Sequence, residues 1–282
     1  MAGYIETDPV VVAAADNAIA DMGEVEALAA LLLDGPPGCG KTYLAKRLAV
    51  RLNAKLISFQ AFPNCGKWEM LMDDPDPVTG VRAKGLLLQS AEVSKTEKVV
   101  MLINEIDKAA AAVDSFLLDF LNDGRLFIPQ LGEFVVNGAN YLCVLTKNDQ
   151  RNITDALMRR CRCGIMDWPS MEVEVAIMQD ALPGIQPEAC KYLITIAQRL
   201  RNDARVIKKP SPPEVIRLAR DIIRMLKKDG LRQRNLGRYI SMGLLPHPAD
   251  RIKQLFESGE MSTGLGAEEV FASSLKLVQL SK

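Results

Sequence analysis

Ala27-Leu28-Ala29-Ala30-Leu31-Leu32-Leu33-Asp34-Gly35-Pro36-Pro37-Gly38-Cys39-Gly40-Lys41-Thr42 begins as an unbroken apolar run and ends in glycines, prolines, a lysine and a threonine. A short run of this kind, stopped by Gly and Pro, predicts a strand buried on both faces of a parallel sheet. Its continuation has the spacing G-x-x-x-x-G-K-[ST], and a helix is predicted directly after it, over Thr42–Leu52. The chemistry requires these residue types. Glycines let backbone N–H groups curl around phosphates, and a helix N-terminus adds partial positive charge. Lys41 is placed to reach the terminal phosphates and the Thr42 hydroxyl to ligate magnesium. Gly35, Pro36, Pro37, Gly38, Cys39, Gly40, Lys41 and Thr42 therefore form a candidate ATP site, with Mg2+ as cofactor. An unrelated glycine turn is the alternative, and the flanking strand and helix weigh against it.

Outward from this loop, a helix is predicted over Asp8–Met22 and a second strand over Lys55–Phe59. Residues 61–85, rich in Pro, Gly and Asp, read as a long loop. A helix over Leu86–Lys95, a strand over Lys98–Ile103 and a helix over Ala109–Asn122 follow. Leu126–Ile128 and Glu133–Val136 flank Pro129–Gly132 as a hairpin. Tyr141–Leu145 and Gly164–Trp168 complete the strands. This alternation predicts an α/β fold, a P-loop NTPase with a mostly parallel central sheet flanked by helices. Beyond Pro169 the pattern is helical: Met171–Leu182, Pro187–Asn202, Pro212–Lys228 with Ser211 as N-cap, Ala249–Ser258 and about Ala267–Leu280, with Gly230 as a helix-ending glycine. Two domains are expected: residues 1–169, an α/β nucleotide-binding domain, and residues 170–282, a small all-α lid with C-terminal helices.

The strand Val99–Ile103 runs into Asn104-Glu105. Strand ends in P-loop folds usually read Asp-Glu, the Asp organising magnesium and the Glu polarising the attacking water. Glu105 fits the second role; a solvated carboxylate at a strand end is its plain alternative. Asn104 stands in the first place, beside Thr42, as a candidate on the metal side. Its amide can accept a hydrogen bond but supplies no charge against a divalent ion. Asp107 is a candidate for partial substitution.

Composition bounds the remaining classes. The 282 residues are 48% hydrophobic and 25% charged, as in an ordinary globular protein, and carry no net charge. Residues 1–170 hold 17 basic and 22 acidic side chains, whereas Glu188–Arg238 holds 14 and 5. That shift fits either solvated Arg/Lys helix faces or a surface for an anionic partner. The cysteines show no C-x-x-C, and His247 is the only histidine, so zinc spacing is lacking and reduced thiols are expected. With no basic-then-apolar leader and no bilayer-length apolar run, a cytoplasmic protein without a membrane span is expected.

The chain resembles AAA+ ATPases, most closely the MoxR-like group that takes in dynein-related and CbbQ/NorQ-type proteins. The resemblance runs from Ala27 to Leu226 and rests on GPPGCGKT at 35–42, LINEIDKA at 102–109, VLTKND at 144–149, DALMRRC at 155–161 and GIMDWP at 164–169. DPDPVTGVRAKG at 74–85 is similar to the group's helix-2 insertion, and GRLFIPQLGEFVV at 124–136 to its hairpin ahead of sensor 1. The resemblance implies that Asn148 is sensor 1 and that Arg160 is an arginine finger toward a neighbouring subunit, with Arg159 as the fallback. Without it, Met158–Arg162 is a basic surface patch. At sensor 2 this chain departs, with Pro213 where the family has arginine; Arg217, one turn on, is the substitute. Phe62 and Trp68 lie where many such rings carry pore contacts, or simply pack their loop. The resemblance further implies a homo-oligomeric, hexameric ring that uses ATP to remodel or activate a protein partner, often one with a von Willebrand A domain. Two other classes stay open. One is a nucleotide-dependent scaffold with weak hydrolysis, suggested by Asn104. The other is a nucleic-acid motor or loader, suggested by the basic stretch and opposed by the zero net charge.

Overall fold

The computed structural model describes residues 8–24, 27–129, 131–204, 206–229 and 243–244. The chain divides into two compact units, with the break between Asp167 and Trp168.

The first unit opens with α1 (Pro9–Ala20), whose first turn is capped by Asp8 Oδ1 accepting from Val10 N at 2.9 Å. β1 (Ala29–Asp34) leads through the glycine loop into α2 (Lys41–Arg51), and β2 (Lys55–Gln60) follows. The segment expected to be a loop has structure of its own. It contains α3 (Lys67–Leu71) and a two-stranded ribbon of β3 (Met72–Pro75) and β4 (Arg82–Lys84). At the ribbon's tip Asp76 Oδ1 accepts from Val78 N at 2.9 Å and Thr79 N at 2.7 Å, an Asx-type turn in an acidic, proline-rich tip. Phe62 and Trp68 are each about half exposed.

Next come α4 (Leu86–Val93), β5 (Val99–Asn104), a 3-10 turn (Ile106–Lys108) and α5 (Ala112–Asp123). The hairpin of β6 (Arg125–Ile128) and β7 (Gly132–Val135) buries Leu126, Ile128 and Phe134 on one face and leaves Phe127 72% exposed on the other. β8 (Tyr141–Lys147), α6 (Asp155–Arg160) and β9 (Arg162–Ile165) complete the unit.

The central sheet has the order β2-β5-β8-β1-β9 and is parallel throughout. Its inner strands are buried on both faces, which is why they read as apolar runs and not as alternating patterns. Leu32, Met101, Ile103, Leu117, Phe120, Tyr141 and Cys143 belong to one continuous core. Tyr141 is fully buried because its hydroxyl has a partner, Ser90 Oγ at 2.8 Å, and its ring meets Phe120 edge-on.

Register decides what the sheet can do. Gln60 is paired with Asn104, and Asp34 with Lys147. The C-terminal ends of β2, β5, β8 and β1 thus stand side by side, the edge at which open α/β sheets bind ligands.

The second unit holds α7 (Met171–Ala181), α8 (Pro187–Asn202) and α9 (Pro212–Asp229) around Met178, Cys190, Ile194, Ala197, Leu200 and Val215. Arg201 and Glu174 form a buried ion pair, and Arg201 Nε donates to Pro210 O at 2.7 Å while its guanidinium lies 4.5 Å from the Trp168 ring centroid. Ser211 stands directly before α9, the N-cap position expected of it, and Glu214 Oε2 reaches back to accept from its N–H and its hydroxyl, each at 2.8 Å. The helices read over Ala249–Ser258 and Ala267–Leu280, and Gly230, lie outside the described residues.

Candidate functional site

The phosphate loop joins the end of β1 to the start of α2. Gly38 and Gly40 have φ of +80° and +111°, a region that side chains rarely enter, and this lets the loop curl back over the helix N-terminus. Gly35 is needed for space: a Cβ there would lie 2.1 Å from Met166 O. Met166 N donates to Asp34 O at 2.7 Å, so the first residue of the loop lies backbone to backbone against the chain leaving β9.

Lys41 is the first residue of α2 and only 6% exposed. Its ammonium donates to Gly35 O at 2.5 Å and Pro36 O at 2.9 Å and lies 3.7 Å from Cys39 Sγ. Burial pushes its pKa down, opposed by the neighbouring Cys39 and by the charges of Asp34 and Asp107. The same burial pushes the Cys39 thiol up, so Cys39 is an uncharged wall of the loop.

Beside the loop stands a chain of polar side chains from four elements. Thr42 Oγ1 donates to Asn104 Oδ1 at 3.0 Å, and Thr146 Oγ1, from β8, donates to the same oxygen at 2.7 Å. Asn104 Nδ2 donates to Gln60 Oε1 at 2.6 Å. Gln60 Nε2 in turn donates to Glu105 Oε2 at 2.9 Å. Asn148 Nδ2 donates to Glu105 Oε1 at 2.9 Å, and Lys108 forms an ion pair with the same carboxylate. Glu105 is held in this place by a left-handed backbone (φ +56°) and by its N–H donating to Thr146 Oγ1 at 2.9 Å. A carboxylate, an amide poised against it and a phosphate loop next to both can bind a nucleoside triphosphate and orient a water.

Asp107 commits one carboxylate oxygen to the loop after β8, and its other oxygen, Oδ1, is buried without a hydrogen-bond partner. It is 3% exposed, and its Oδ2 accepts from Asn148 N at 3.0 Å and Gln150 N at 2.8 Å, so it fixes the loop that carries Asn148. Asp114 does the same further along. Fully buried, it takes both ends of the Arg151 guanidinium, at 2.9 and 2.8 Å, and Thr154 N at 2.9 Å.

The structure brings Gly35–Thr42, Asn104, Glu105 and Asn148 together at one edge of the sheet. Arg160 lies elsewhere: its guanidinium donates to Asn122 Oδ1 at 3.0 Å and to the carbonyls of Leu28 and Leu121 at 2.6 and 2.8 Å. Leu28 precedes β1, whereas Gly35 follows it, so Arg160 is tied down at the opposite end of the sheet from its own phosphate loop. Arg159, beside it, is exposed. Arg217 lies exposed on α9 in the second unit, one turn after Pro213.

Gln60, Thr146, Lys147 and Lys108 were not singled out from sequence. Lys147 is buried and bridges Asp34 at 2.8 Å, joining the ends of β8 and β1. One signal was available for Gln60 and Thr146: a polar residue at or next to the C-terminal end of a strand, as Asn104 is.

Thr42 and Asn104, the residues expected at magnesium, present two neutral oxygens 3.0 Å apart. The spacing suits neighbouring ligands of a small octahedral ion, but the charge does not. Among the described residues no group of three or more His, Cys, Asp or Glu could hold a metal ion.

A parallel sheet with a glycine loop between β1 and α2, and with Asn104-Glu105 and Asn148 at the adjoining strand ends, defines a P-loop nucleotide-binding domain. Residues 31–167 match the family described as ATPase family associated with various cellular activities (AAA). It is 27% identical over 225 residues to a mitochondrial Lon protease homolog of Phaeodactylum tricornutum, covering 74% of this chain and 23% of that protein. It is 33% identical over 126 residues to heat shock protein 104 of Schizosaccharomyces pombe, covering 43% and 14%. A further relative is chaperone protein ClpB 2 of Parasynechococcus marenigrum, 28% identical over 179 residues, covering 61% and 19%. The aligned part is thus less than a quarter of each of these relatives. These relatives give no support to the MoxR-like subgroup. No helix among the described residues is long and apolar enough to cross a membrane.

Proposed function

We propose that this chain is an ATP-binding, ring-forming AAA ATPase that uses nucleotide to remodel a protein partner. The observation that carries the proposal is the meeting of the Gly35–Thr42 loop with Glu105 and Asn148 at one sheet edge. Backbone N–H groups of the loop and the Lys41 ammonium take the phosphates, Lys41 exchanging its carbonyl partners for phosphate oxygens. Glu105 orients the attacking water once it leaves Gln60 and Lys108, and Asn148 holds either that water or the terminal phosphate. Magnesium accompanies ATP in such domains, but the neutral pair Thr42 and Asn104 gives no basis for assigning it a step.

Arg159 is our candidate for the arginine that reaches a neighbouring subunit's ATP, with Arg160 anchoring the helix from which it projects. Arginine suits the role because its fork is always charged and matches phosphate oxygens. In the MoxR-like form of this reading the ring is a hexamer and the partner carries a von Willebrand A domain. In the form suggested by relatives named as a protease and a chaperone, the partner is a polypeptide substrate.

The test is steady-state phosphate release from ATP across protein concentrations, for the parent, Lys41→Ala and Arg159→Ala. Turnover that rises cooperatively with concentration, vanishes in Lys41→Ala and is restored by mixing Lys41→Ala with Arg159→Ala is the expected result. Turnover independent of concentration overturns the ring. Asn104 favours a second reading, a nucleotide-gated scaffold with little hydrolysis. Absent turnover with ATP still bound would establish it, and Asn104→Asp distinguishes a repairable site from one that never turned over.

A further inference from the structure

We infer that this chain holds ATP with little dependence on magnesium, because the oxygen beside Thr42 that would receive the ion is an amide oxygen whose two lone pairs are already in use. The inference rests on the ATP-binding reading above and concerns how that site treats the cation.

An amide oxygen has two lone pairs. On Asn104 Oδ1 one takes the Thr42 hydroxyl and the other the Thr146 hydroxyl. The amide nitrogen is committed to Gln60 Oε1, and Gln60 is itself fixed by donating to Glu105, so rotating the Asn104 group would set its oxygen against the Gln60 oxygen. Asn104 is therefore locked, and it has neither a lone pair nor a charge to give to a metal-bound water.

Among the described residues no carboxylate bonds to the Thr42 hydroxyl as Asn104 does. Glu105 is engaged by Gln60, Asn148 and Lys108. Asp107 gives Oδ2 to two backbone N–H groups of the loop after β8 while its buried Oδ1 has no hydrogen-bond partner, and Asp34 is paired with Lys147. Magnesium is a hard ion that proteins usually hold through one or two carboxylates together with substrate phosphates. Here the residue beside Thr42 adds no anionic ligand to the phosphates, so the ion there is held much as it is in magnesium–ATP in water. Binding to the protein then adds little to the ion's affinity, and by linkage the ion adds little to the nucleotide's. What holds the triphosphate is Lys41 and the backbone of the loop, neither of which needs the cation.

An aspartate at this position would change the balance. A carboxylate has about four lone-pair sites, so it could keep both hydroxyls and still accept from a metal-bound water, with a full negative charge.

The test is titration of the full chain with a fluorescent ATP analogue, in excess magnesium and in excess EDTA. The expected result is a dissociation constant that differs by less than about threefold between the two conditions, which is about half of the 1.4 kcal/mol that separates tenfold affinities. In Asn104→Asp the same ratio is expected to exceed tenfold. A parent ratio above threefold overturns the inference and leaves the ATP reading standing. Absence of binding in both conditions overturns the ATP reading and this inference with it. The parent alone decides, so a variant that failed to fold would not rescue the proposal.

Discussion

Gln60 Nε2 donates to Glu105 Oε2 at 2.9 Å, joining the ends of two neighbouring strands. Its orientation is set by Asn104, whose Nδ2 occupies the Gln60 carbonyl at 2.6 Å. The residue beside the candidate base therefore decides, through Gln60, whether that base is restrained. Gln60→Ala removes one of three restraints on Glu105. Since a hydrogen bond to a carboxylate is worth about 1.5–3 kcal/mol net, phosphate release should rise roughly tenfold or more. Nucleotide affinity should stay within about twofold. Steady-state phosphate release and ATP titration on the same preparation check both values.

Lys41→Ala takes away the buried ammonium and should remove the stabilisation that ATP confers. Binding at about one hundred times the dissociation constant adds about 2.7 kcal/mol, a rise of several degrees in Tm for a domain of this size. Thermal melts with and without ATP should show that rise in the parent and none in Lys41→Ala.

Arg151, partly exposed, and the fully buried Asp114 form a two-pronged pair that ties the loop after β8 to α5. Arg151→Ala leaves a fully buried carboxylate with only Thr154 N, and removing one partner of such a pair costs about 3–5 kcal/mol. Arg151→Ala/Asp114→Ala should recover part of that loss. Urea unfolding of both variants measures it, and additive losses would contradict the coupling.

Gly35→Ala forces a methyl group to within 2.1 Å of the Met166 carbonyl, which is backbone and cannot swing aside. Overpacking of this kind costs about 1–3 kcal/mol, and the displaced loop should weaken ATP binding more than tenfold. Gly132→Ala, at a turn with nothing within 4 Å, should leave ATP binding unchanged. Comparing ATP titrations of the two variants separates crowding at the loop from a general loss of fold.

Cys163 is exposed, whereas Cys39, Cys65, Cys143, Cys161 and Cys190 are buried. Burial pushes Cys161 up to about 12 and Cys190 up to about 11, so neither offers thiolate near neutrality. Brief alkylation at pH 8 should label Cys163 first by mass spectrometry, and the labelled protein should still bind ATP. Early labelling of Cys39, in the phosphate loop, would contradict its buried place.

The strand–loop–helix at Ala29–Arg51 was decided locally. An apolar run of strand length, glycines where φ must be positive and a lysine opening a helix admit few other structures, and Asn104-Glu105 was legible by the same local reading. The parallel sheet followed because strands covered on both faces must be apolar throughout. Residues 61–85 hid α3 and the β3–β4 ribbon because both are short and rich in turn formers, so local pattern reads them as loop. What only the tertiary structure decided is which polar groups meet. Gln60, Asn104 and Thr146 touch because the sheet order is β2-β5-β8-β1-β9, an order that no local pattern encodes. Nothing local shows that the loop after β8 rests on Asp107, and Arg160 could pass for a free finger until Leu28 and Leu121 placed their carbonyls against it. Backbone conformation is selected within a few residues, whereas a side chain's partners come from wherever packing brings the chain, and in this protein that is as far as from Leu28 to Arg160.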